Sequence, residues 1–201
     1  MRKLILQMQM SVDGYVGAGD DGMDWQLWNF GDEWNWDDEL KRDFNATLQS
    51  IGCILLSRKM IVQGYLDHWG RAAANHPADP HYAFAKKIVD VEKVVLTNKP
   101  VNGTWARATI AGGDFVETAR ALKRQRGENI ITFGGAGFAS SLVAAGLVDE
   151  IQLYVNPATI GGGETIFRAP SNEARKLKLL GSKSYSCGMV VNRYEPAMRV
   201  A

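Results

Sequence analysis

The sequence has few cysteines, almost no net charge and no long apolar run. Its two cysteines among 201 residues are too few for a disulfide framework or a thiolate metal site and favour a reducing compartment. A net charge of +1 gives no reason to expect nucleic acid or a membrane surface as a partner. No apolar run approaches the roughly 20 residues that cross a bilayer, and the first residues become polar too soon for a signal peptide. We therefore predict a cytoplasmic protein whose partner is a small molecule.

Motifs for metal binding and for zinc-dependent deamination are also missing. His68, His76 and His81 lack the spacing of a helix-borne metal site, and no Cys-x-x-Cys accompanies them. The His-x-Glu and Pro-Cys-x-x-Cys signature of a zinc deaminase does not occur. We predict no metal site, and we interpret the three histidines as surface or loop residues.

What the sequence does contain is an alternation of apolar strands and amphipathic helices. Apolar runs, the first of them interrupted by glutamines, predict strands, and apolar residues at helical spacing predict the helices between them. The predicted strands are residues 4–10, 51–56, 93–97, 129–133 and 150–156, and the predicted helices are residues 32–50, 115–126 and 138–145. An antiparallel pair, residues 176–185 and 188–195, extends the sheet. Because no linker composition interrupts the pattern, we predict one α/β domain over residues 1–201.

A glycine-rich segment follows the predicted strand 129–133 and leads into a helix. Its residues are Gly134, Gly135, Ala136, Gly137, Phe138 and Ala139. Glycines let a phosphate approach the backbone, and the N–H groups at a helix N-terminus attract anions. The alternative is that the glycines only make a tight turn.

The two best-known nucleotide motifs do not fit this segment. A Rossmann motif would need a glycine where Ser140 stands and an acidic residue about 20 positions later, whereas Asp149 and Glu150 follow too soon. No Gly-Lys-Ser/Thr follows, so a Walker loop is excluded. An NAD-linked dehydrogenase of the Rossmann type stays open only as a weaker hypothesis.

Two other predicted strands end in a hydroxyl followed by cations. Ser57, Arg58 and Lys59 follow one strand, and Thr97, Asn98 and Lys99 end or follow the next. Ligands of open α/β sheets bind at the carboxyl ends of strands, so we expect both groups to converge with the glycine segment. Cations beyond those needed for a pyrophosphate favour a 2′-phosphate, and hence NADPH over NADH. Taken singly, each cation is interpreted more simply as a solvated surface residue.

Five motifs in order carry a resemblance to a known family. They are Ser11-Val12-Asp13-Gly14-Tyr15-Val16, Leu55-Leu56-Ser57-Arg58-Lys59, Val95-Leu96-Thr97-Asn98-Lys99, Phe133-Gly134-Gly135-Ala136-Gly137, and Gly146-Leu147-Val148-Asp149-Glu150 with Pro157-Ala158-Thr159-Ile160-Gly161-Gly162-Gly163. The chain resembles the dihydrofolate-reductase-like superfamily, and more closely its branch with the RibD C-terminal domain, the reductase of riboflavin biosynthesis. The resemblance implies a three-layer α/β fold around a mixed, mostly parallel sheet of about eight strands with antiparallel C-terminal strands.

The resemblance also implies an activity and a set of site residues. It implies an NADPH-dependent reductase that transfers a hydride to a C=N or C=O group of a pterin-like or ribosylaminopyrimidine-like substrate, as dihydrofolate reductase or 5-amino-6-(5-phosphoribosylamino)uracil reductase does. It places the cofactor at Val16, Ser57, Arg58, Lys59, Thr97, Asn98, Lys99, Gly134, Gly135, Ala136, Gly137, Phe138 and Ala139, and the substrate at Asp13, Trp25 and Val155. The loop 12–25 would close over the nicotinamide. Ser57 replaces the glycine usual in the family, and riboflavin-pathway relatives suggest a homodimer.

An acidic and aromatic segment, residues 20–39, offers the candidate catalytic carboxylates. It holds eight carboxylates and five large aromatic residues, which are Trp25, Trp28, Phe30, Trp34 and Trp36. The aromatic rings could stack on a planar heterocycle while Asp37, Asp38 or Glu39 bonds to it. Alternatively the segment packs on the core or on a partner subunit. A non-catalytic nucleotide-binding module that docks a protein through Trp34 and Trp36 is therefore the second hypothesis.

Overall fold

A computed structural model of the chain describes residues 1–18, 24–31, 33–167 and 176–197. Its eight strands are β1 (Leu4–Met10), β2 (Ile51–Ser57), β3 (Glu92–Leu96), β4 (Ala108–Ala111), β5 (Asn129–Thr132), β6 (Glu150–Val155), β7 (Leu177–Ser184) and β8 (Val190–Pro196). They form one sheet in the order β4-β3-β2-β5-β1-β6-β8-β7. The pairs of β2 with β3 and β5, of β3 with β4 and of β1 with β6 are parallel, whereas β8 is antiparallel to β6 and β7. The predicted mixed, mostly parallel sheet of eight strands is confirmed.

Six α-helices and one short 3₁₀-helix connect the described strands. They are α1 (Asp38–Gln49), α2 (Arg58–Val62), α3 (Tyr65–Asn75), the 3₁₀-helix (Pro80–Tyr82), α4 (Ala83–Asp90), α5 (Phe115–Arg124) and α6 (Ala136–Ala144). Helix α6 ends as predicted near Gly146, whose positive φ of 65° and N–H bond to the Val143 carbonyl close the last turn. Helices α2, α3 and α4 and strand β4 were not predicted.

The predicted helix 32–50 is wrong at its start. Residues 33–37 are not helical, and α1 begins at Asp38, while Asp32 lies outside the described residues. The Asp37 carboxylate accepts hydrogen bonds from the Ser186 hydroxyl at 2.8 Å and the Cys187 N–H at 3.0 Å. The turn between β7 and β8 therefore fixes the chain just before α1, and tertiary bonds override the apolar spacing that suggested an earlier start.

The chain divides into two compact units, residues 1–4 with 38–135 and residues 5–37 with 136–201. The first unit holds β2 to β5, and its core is built from the apolar faces of α1, α3 and α4. Phe84 on α4 contacts Phe44 of α1 and Trp69 of α3 edge to face, with ring centroids 5.2 and 5.1 Å apart. All three rings are buried, so these helices are held by aromatic packing. The interpretation of the chain as a single domain stays a prediction.

The second unit holds β6, β7, β8 and nearly all of β1. Every residue of β1 is buried, although two of them are glutamines. Gln7 Nε2 donates to Gln152 Oε1 at 3.0 Å and to the Tyr154 hydroxyl at 3.1 Å, so its amide is satisfied across the β1–β6 pair. The buried Glu150 carboxylate accepts in turn from Gln152 and Arg193. A hydrogen-bonded polar layer therefore lies within this part of the sheet.

Candidate functional site

A cavity of about 470 Å³ lies at the carboxyl ends of β2 and β3 in the first unit. Its lining residues are Arg58, Lys59, Val62, Gln63, Thr97, Asn98 and Lys99. The two strands run parallel with Ser57 opposite Leu96, so the residues that follow them meet at one edge of the sheet. The structure thus brings together five of the predicted cofactor residues. Val62 and Gln63 were missed, since helix α2 was not predicted.

Ser57 ends β2 directly before the lining residues Arg58 and Lys59 and caps the helix that carries them. Its hydroxyl accepts the Met60 N–H at 3.3 Å and so caps the N-terminus of α2. Its φ of −84° and ψ of 158° are ordinary extended values, which any residue adopts. The glycine usual in the family is therefore not required by the backbone here.

Three cations line the cavity, and none of them has a carboxylate partner among the described residues. Arg58 is oriented by its Nε, which donates to the Pro100 carbonyl at 3.0 Å. Among the described residues, Lys59 and Lys99 have no carboxylate within 4 Å, in contrast to Lys86, whose Nζ lies 2.6 Å from the Asp90 carboxylate. A concentration of uncompensated positive charge in a cavity suits a ligand that carries phosphate groups.

Thr97 and Asn98 serve the local backbone. The Thr97 hydroxyl accepts the Lys99 N–H at 3.0 Å and stabilises the turn after β3. The Asn98 amide bonds to both backbone groups of Gly113, which precedes α5. Asn98 therefore joins the turn after β3 to the turn after β4, and its amide is already engaged.

The glycine pair Gly134-Gly135 follows β5 at the same edge of the first unit, because β5 is parallel to β2 with Ile54 opposite Ile131. Gly134 has a φ of 112°, which only glycine adopts readily. Gly135 is exposed, and a Cβ built on it would meet no atom within 4 Å. The backbone at Gly135 is therefore open to a ligand.

Helix α6 begins at Ala136 in the second unit, two residues earlier than predicted. Ala136, Gly137, Phe138 and Ala139 form its first turn. Ala136 and Ala139 are buried, whereas Gly137 is exposed with open space around a Cβ position. Small residues on the packed side and a glycine on the outer side leave the first N–H groups of this helix accessible.

The predicted residues of the first loop also lie in the second unit. Both oxygens of the Asp13 carboxylate accept from the Ile160 N–H at 3.2 Å, and Oδ2 also accepts from the Gly161 N–H at 2.7 Å. A hydrogen bond from Ser11 and these two backbone donors lower the pKa of Asp13. The Val16 N–H donates to the Glu164 carbonyl. Asp13 is thus held by the loop 157–164.

The remaining predicted substrate residues are Val155 and Trp25. Val155 ends β6 opposite Met10 and Val190 and is half-buried. Trp25 is half-buried in the segment 24–31.

The three candidate catalytic carboxylates have different surroundings. Asp37 is engaged by the β7–β8 turn, as described above. The Asp38 side chain is 69% exposed, and its Oδ1 lies 3.8 Å from His81 Nε2. Glu39 is exposed in the first turn of α1, where a carboxylate complements the helix dipole. Of the three, Asp38 and Glu39 are exposed and Asp37 is half-buried.

The tryptophans of the acidic segment form a buried cluster. Trp28 stacks on Trp34 with ring centroids 4.4 Å apart, and Trp36 stacks on Tyr154 of β6 at 5.5 Å. Trp28, Trp34 and Trp36 are at most 9% exposed. Of the two interpretations of this segment, packing on the core describes these three rings.

Two polar residues that sequence analysis missed hold this segment. Gln9 Nε2 donates to the Trp28 carbonyl at 2.8 Å, and Asn156 Oδ1 accepts the Leu27 N–H at 2.9 Å. Asn156 Nδ2 also donates to Gln9 Oε1 at 3.2 Å. The sequence signal for these hydrogen bonds was a glutamine inside an otherwise apolar strand, because a buried amide requires hydrogen-bonding partners.

Each of the three histidines lies beside an aromatic or acidic side chain. His81 faces Asp38, His76 stacks on Tyr82, and His68 packs edge to face on Trp69. Within residues 1–18, 24–31, 33–167 and 176–197, no three His, Cys, Asp or Glu side chains are grouped as metal ligands. None of the described helices combines the length and apolar character needed to span a membrane.

Two curated proteins of Bacillus subtilis (strain 168) are similar to this chain over nearly its whole length. Uncharacterized protein YyaP is 24% identical over 189 residues, which cover 94% of this chain and 92% of YyaP. Uncharacterized protein YwjB is 27% identical over 187 residues, which cover 92% of each.

Solved structures share the fold at low sequence identity. A putative riboflavin biosynthesis protein from Shewanella sp. PV-4 superimposes with a TM-score of 0.67 at 16% identity, covering 98% of this chain and 99% of that one. A deaminase/5-amino-6-(5-phosphoribosylamino)uracil reductase from Thermotoga maritima gives 0.64 at 12% identity, and this chain, of which 98% is covered, spans only 57% of it. Dihydrofolate reductase from Enterococcus faecalis, complexed with NADP(H), gives 0.53 at 13% identity, covering 98% and 97%.

The dihydrofolate-reductase-like fold that the sequence predicts is thus confirmed by these structures. Residues 2–191 match the RibD C-terminal domain. This chain belongs to the RibD C-terminal domain family.

Proposed function

We propose that this protein is an NADPH-dependent reductase. The observation that carries the proposal is the cavity at the ends of β2 and β3, where Arg58, Lys59 and Lys99 have no carboxylate partner among the described residues. An adenosine 2′-phosphate supplies the negative charge and the acceptor oxygens that such a group of cations binds. When bound, NADPH supplies the hydride, and the protein binds and orients it.

The residues around the cavity divide into ligands and supports. Arg58 is pre-oriented by the Pro100 carbonyl, which lowers the entropy lost when its guanidinium binds an anion. Lys59 and Lys99 contribute charge. Ser57 and Asn98 stabilise the surrounding backbone. Ser57 caps α2, and Asn98 holds the turn at Gly113. The open backbone of Gly135 is the proposed approach of the pyrophosphate.

The proposed substrate is a pterin-like or ribosylaminopyrimidine-like compound with a reducible C=N or C=O group. Support comes from the family and from two proteins that share the fold, one a 5-amino-6-(5-phosphoribosylamino)uracil reductase and the other a dihydrofolate reductase. Reduction also needs a proton, for which Asp38, Glu39 or a positioned water are the proposed donors. Consumption of NADPH in the presence of each compound, followed by absorbance, distinguishes the two substrates.

We further propose that the protein acts in the cytoplasm as a homodimer. The low cysteine content supports a reducing compartment, and the riboflavin-pathway resemblance supports the dimer. Sedimentation equilibrium of the purified chain tests the dimer, and a molar mass equal to that of one chain would contradict it.

The experiment that tests the cofactor proposal is a calorimetric titration with NADPH and with NADH. We expect Arg58→Ala and Lys99→Ala each to weaken NADPH by about 10- to 100-fold, as loss of a charged hydrogen bond does, and to change NADH binding much less. Arg120→Ala is the matched control, because Arg120 is an exposed cation paired with Glu117 on α5 of the same unit. Absence of NADPH binding to the wild-type protein, or equal losses for both nucleotides, would reject the proposal.

Measuring both NADPH binding and substrate reduction with the wild-type protein distinguishes an enzyme from a non-catalytic binding module. A non-catalytic module would bind NADPH but reduce no imine or carbonyl compound. The second hypothesis requires a partner protein to bind to the rings of Trp34 and Trp36. The burial of both rings argues against this.

A further inference from the structure

The first loop, residues 11–18, is hydrogen-bonded along its length to the loop of residues 157–164. The Val12 N–H donates to the Ala158 carbonyl, and the Val16 N–H donates to the Glu164 carbonyl, both at 2.8 Å. The Glu164 N–H donates back to the Gly17 carbonyl at 2.8 Å, which makes an antiparallel bridge. The two loops are therefore paired at both ends of the described part of the first loop. We call this pair the loop pair.

Asp13 supplies the side-chain link between the two loops. Its carboxylate accepts from the N–H groups of Ile160 and Gly161, with the shortest distance 2.7 Å. Gly161 has a φ of 71°, and this conformation helps turn two successive N–H groups toward the same anion. The carboxylate thus fills an anion-binding turn of its own chain.

Gly163 allows the backbones of the two loops to approach each other closely at Gly17. A Cβ on Gly163 would overlap the Gly17 carbonyl oxygen, and the Gly163 φ of 145° also disfavours other residues. The adjacent Gly162 differs, because a Cβ there would meet no atom within 4 Å and its φ is not left-handed. Of Gly162 and Gly163, only Gly163 therefore has to be a glycine for the two loops to pair.

We propose that Asp13 and Gly163 are positioning residues that hold the loop pair together and thereby fix the backbone at Val16. The catalytic part of this inference rests on the proposed function, in which Val16 is a cofactor residue. The Asp13 carboxylate then acts on the geometry of the loops, and it does not bind the substrate directly. The loop 157–164 becomes part of the catalytic machinery through its bonds to the first loop.

The first test measures amide hydrogen exchange and needs no activity. In Asp13→Ala and Gly163→Ala we expect exchange at Val12, Val16 and Glu164 to become faster by about tenfold or more, since bonds to a charged group or a whole backbone contact are lost. Gly162→Ala is the matched control and should leave these rates unchanged. If Asp13→Ala accelerates exchange only at Ile160 and Gly161, the loops open independently and the inference is overturned.

The second test separates positioning from a general loss of structure. With NADPH and a reducible substrate we expect Asp13→Ala to lower kcat by about tenfold and to weaken NADPH less, by about two- to threefold, because the variant loosens the backbone at Val16 but the cations of the cavity belong to another segment. Asp13→Glu, which keeps the charge, should recover part of the exchange protection and part of kcat. An equal fall in kcat and NADPH affinity for Asp13→Ala, with unchanged exchange at Val16, would overturn the inference.

The two proposals fail in different ways. Loss of NADPH binding in the wild-type protein rejects the proposed function, and the exchange experiment then still decides whether the loops are coupled. The double variant of Asp13→Ala with Gly163→Ala adds a further check, because two changes that open the same loop pair should not have additive effects. Additive acceleration of exchange at Val16 would contradict a shared opening. Should Gly163→Ala fail to fold, Asp13→Ala alone decides the outcome.

Discussion

Asn98 and Gly113 are joined by two hydrogen bonds, from Asn98 Nδ2 to the Gly113 carbonyl at 3.0 Å and from the Gly113 N–H to Asn98 Oδ1 at 2.6 Å. One side chain thus imitates a backbone pair and ties the turn after β3 to the turn before α5. We predict that Asn98→Ala lowers the free energy of unfolding by about 1 to 2 kcal/mol, measured by urea denaturation.

The same variant distinguishes a support from a ligand. Because Asn98 shapes the cavity without contributing charge, we expect Asn98→Ala to weaken NADPH and NADH by the same factor, whereas Lys99→Ala acts mainly on NADPH. A selective loss of NADPH in Asn98→Ala would instead make the amide a direct ligand of the 2′-phosphate.

The glycine pair after β5 gives a second prediction. Gly135→Val should leave the fold intact, because a Cβ at this position meets open space, but should abolish NADPH binding, because the side chain occupies the proposed phosphate space. Circular dichroism and calorimetric titration measure the two properties. Gly134→Val is the contrasting variant and should destabilise the protein, since Gly134 has a φ of 112°. NADPH binding that survives Gly135→Val would mean that the turn is only structural.

The tryptophan cluster gives a prediction about stability. Trp34→Ala should lower the free energy of unfolding by about 3 to 5 kcal/mol, as truncation of a buried aromatic residue does. Phe30→Ala is the control, because Phe30 is 41% exposed and should cost clearly less. Chemical denaturation of both variants measures the difference. A Trp34→Ala protein of wild-type stability would reopen the interpretation of the segment as a docking surface.

Asp13 gives a prediction about pH. Its hydrogen bonds to Ser11 and to the N–H groups of Gly161 and Ile160 lower its pKa below the ordinary value of 3.8. A lowered folded-state pKa means that the carboxylate stabilises the fold above that ordinary value and loses this effect as the pH falls through the lowered pKa. The Tm advantage of the wild type over Asp13→Asn should therefore be constant near neutral pH and shrink below about pH 4. An advantage that grows on acidification would contradict the assignment.

Much of the fold could be predicted from local pattern. Strands β1 and β5 are mostly apolar segments, and their bounds differ from the prediction by at most one residue. Helices α2 and α3 were missed because Gly64 separates two short segments and Trp69 is the one fully buried residue of α3. Strand β4 was missed since it is short, exposed at its centre and carries no apolar run.

The candidate site was predictable to a smaller degree. Arg58 and Lys99 follow apolar strands, so their convergence at one edge of the sheet follows from parallel topology. The bonding partners of Asp13 and Asn98 could not be predicted, because Gly161 lies 148 residues from Asp13 and Gly113 lies 15 residues from Asn98. Whether a polar side chain binds a ligand or a distant backbone group is decided by tertiary contacts, which neighbouring residues do not encode.

The pairing of β1 with β6 has a consequence for the order of folding. Strands β2, β3 and β4 find their partners within residues 51–132, but β1 lies between β5 and β6, and Gln7 on β1 meets Gln152 on β6 across 145 residues of chain. During synthesis the edge of β1 that pairs with β6 therefore stays unpaired until β6 has left the ribosome, even after β5 has been made. Contacts this distant in sequence slow folding, and an uncovered strand invites aggregation. Because β1 lies inside the sheet, we expect the protein to depend on chaperones and to give a low yield when it is expressed rapidly.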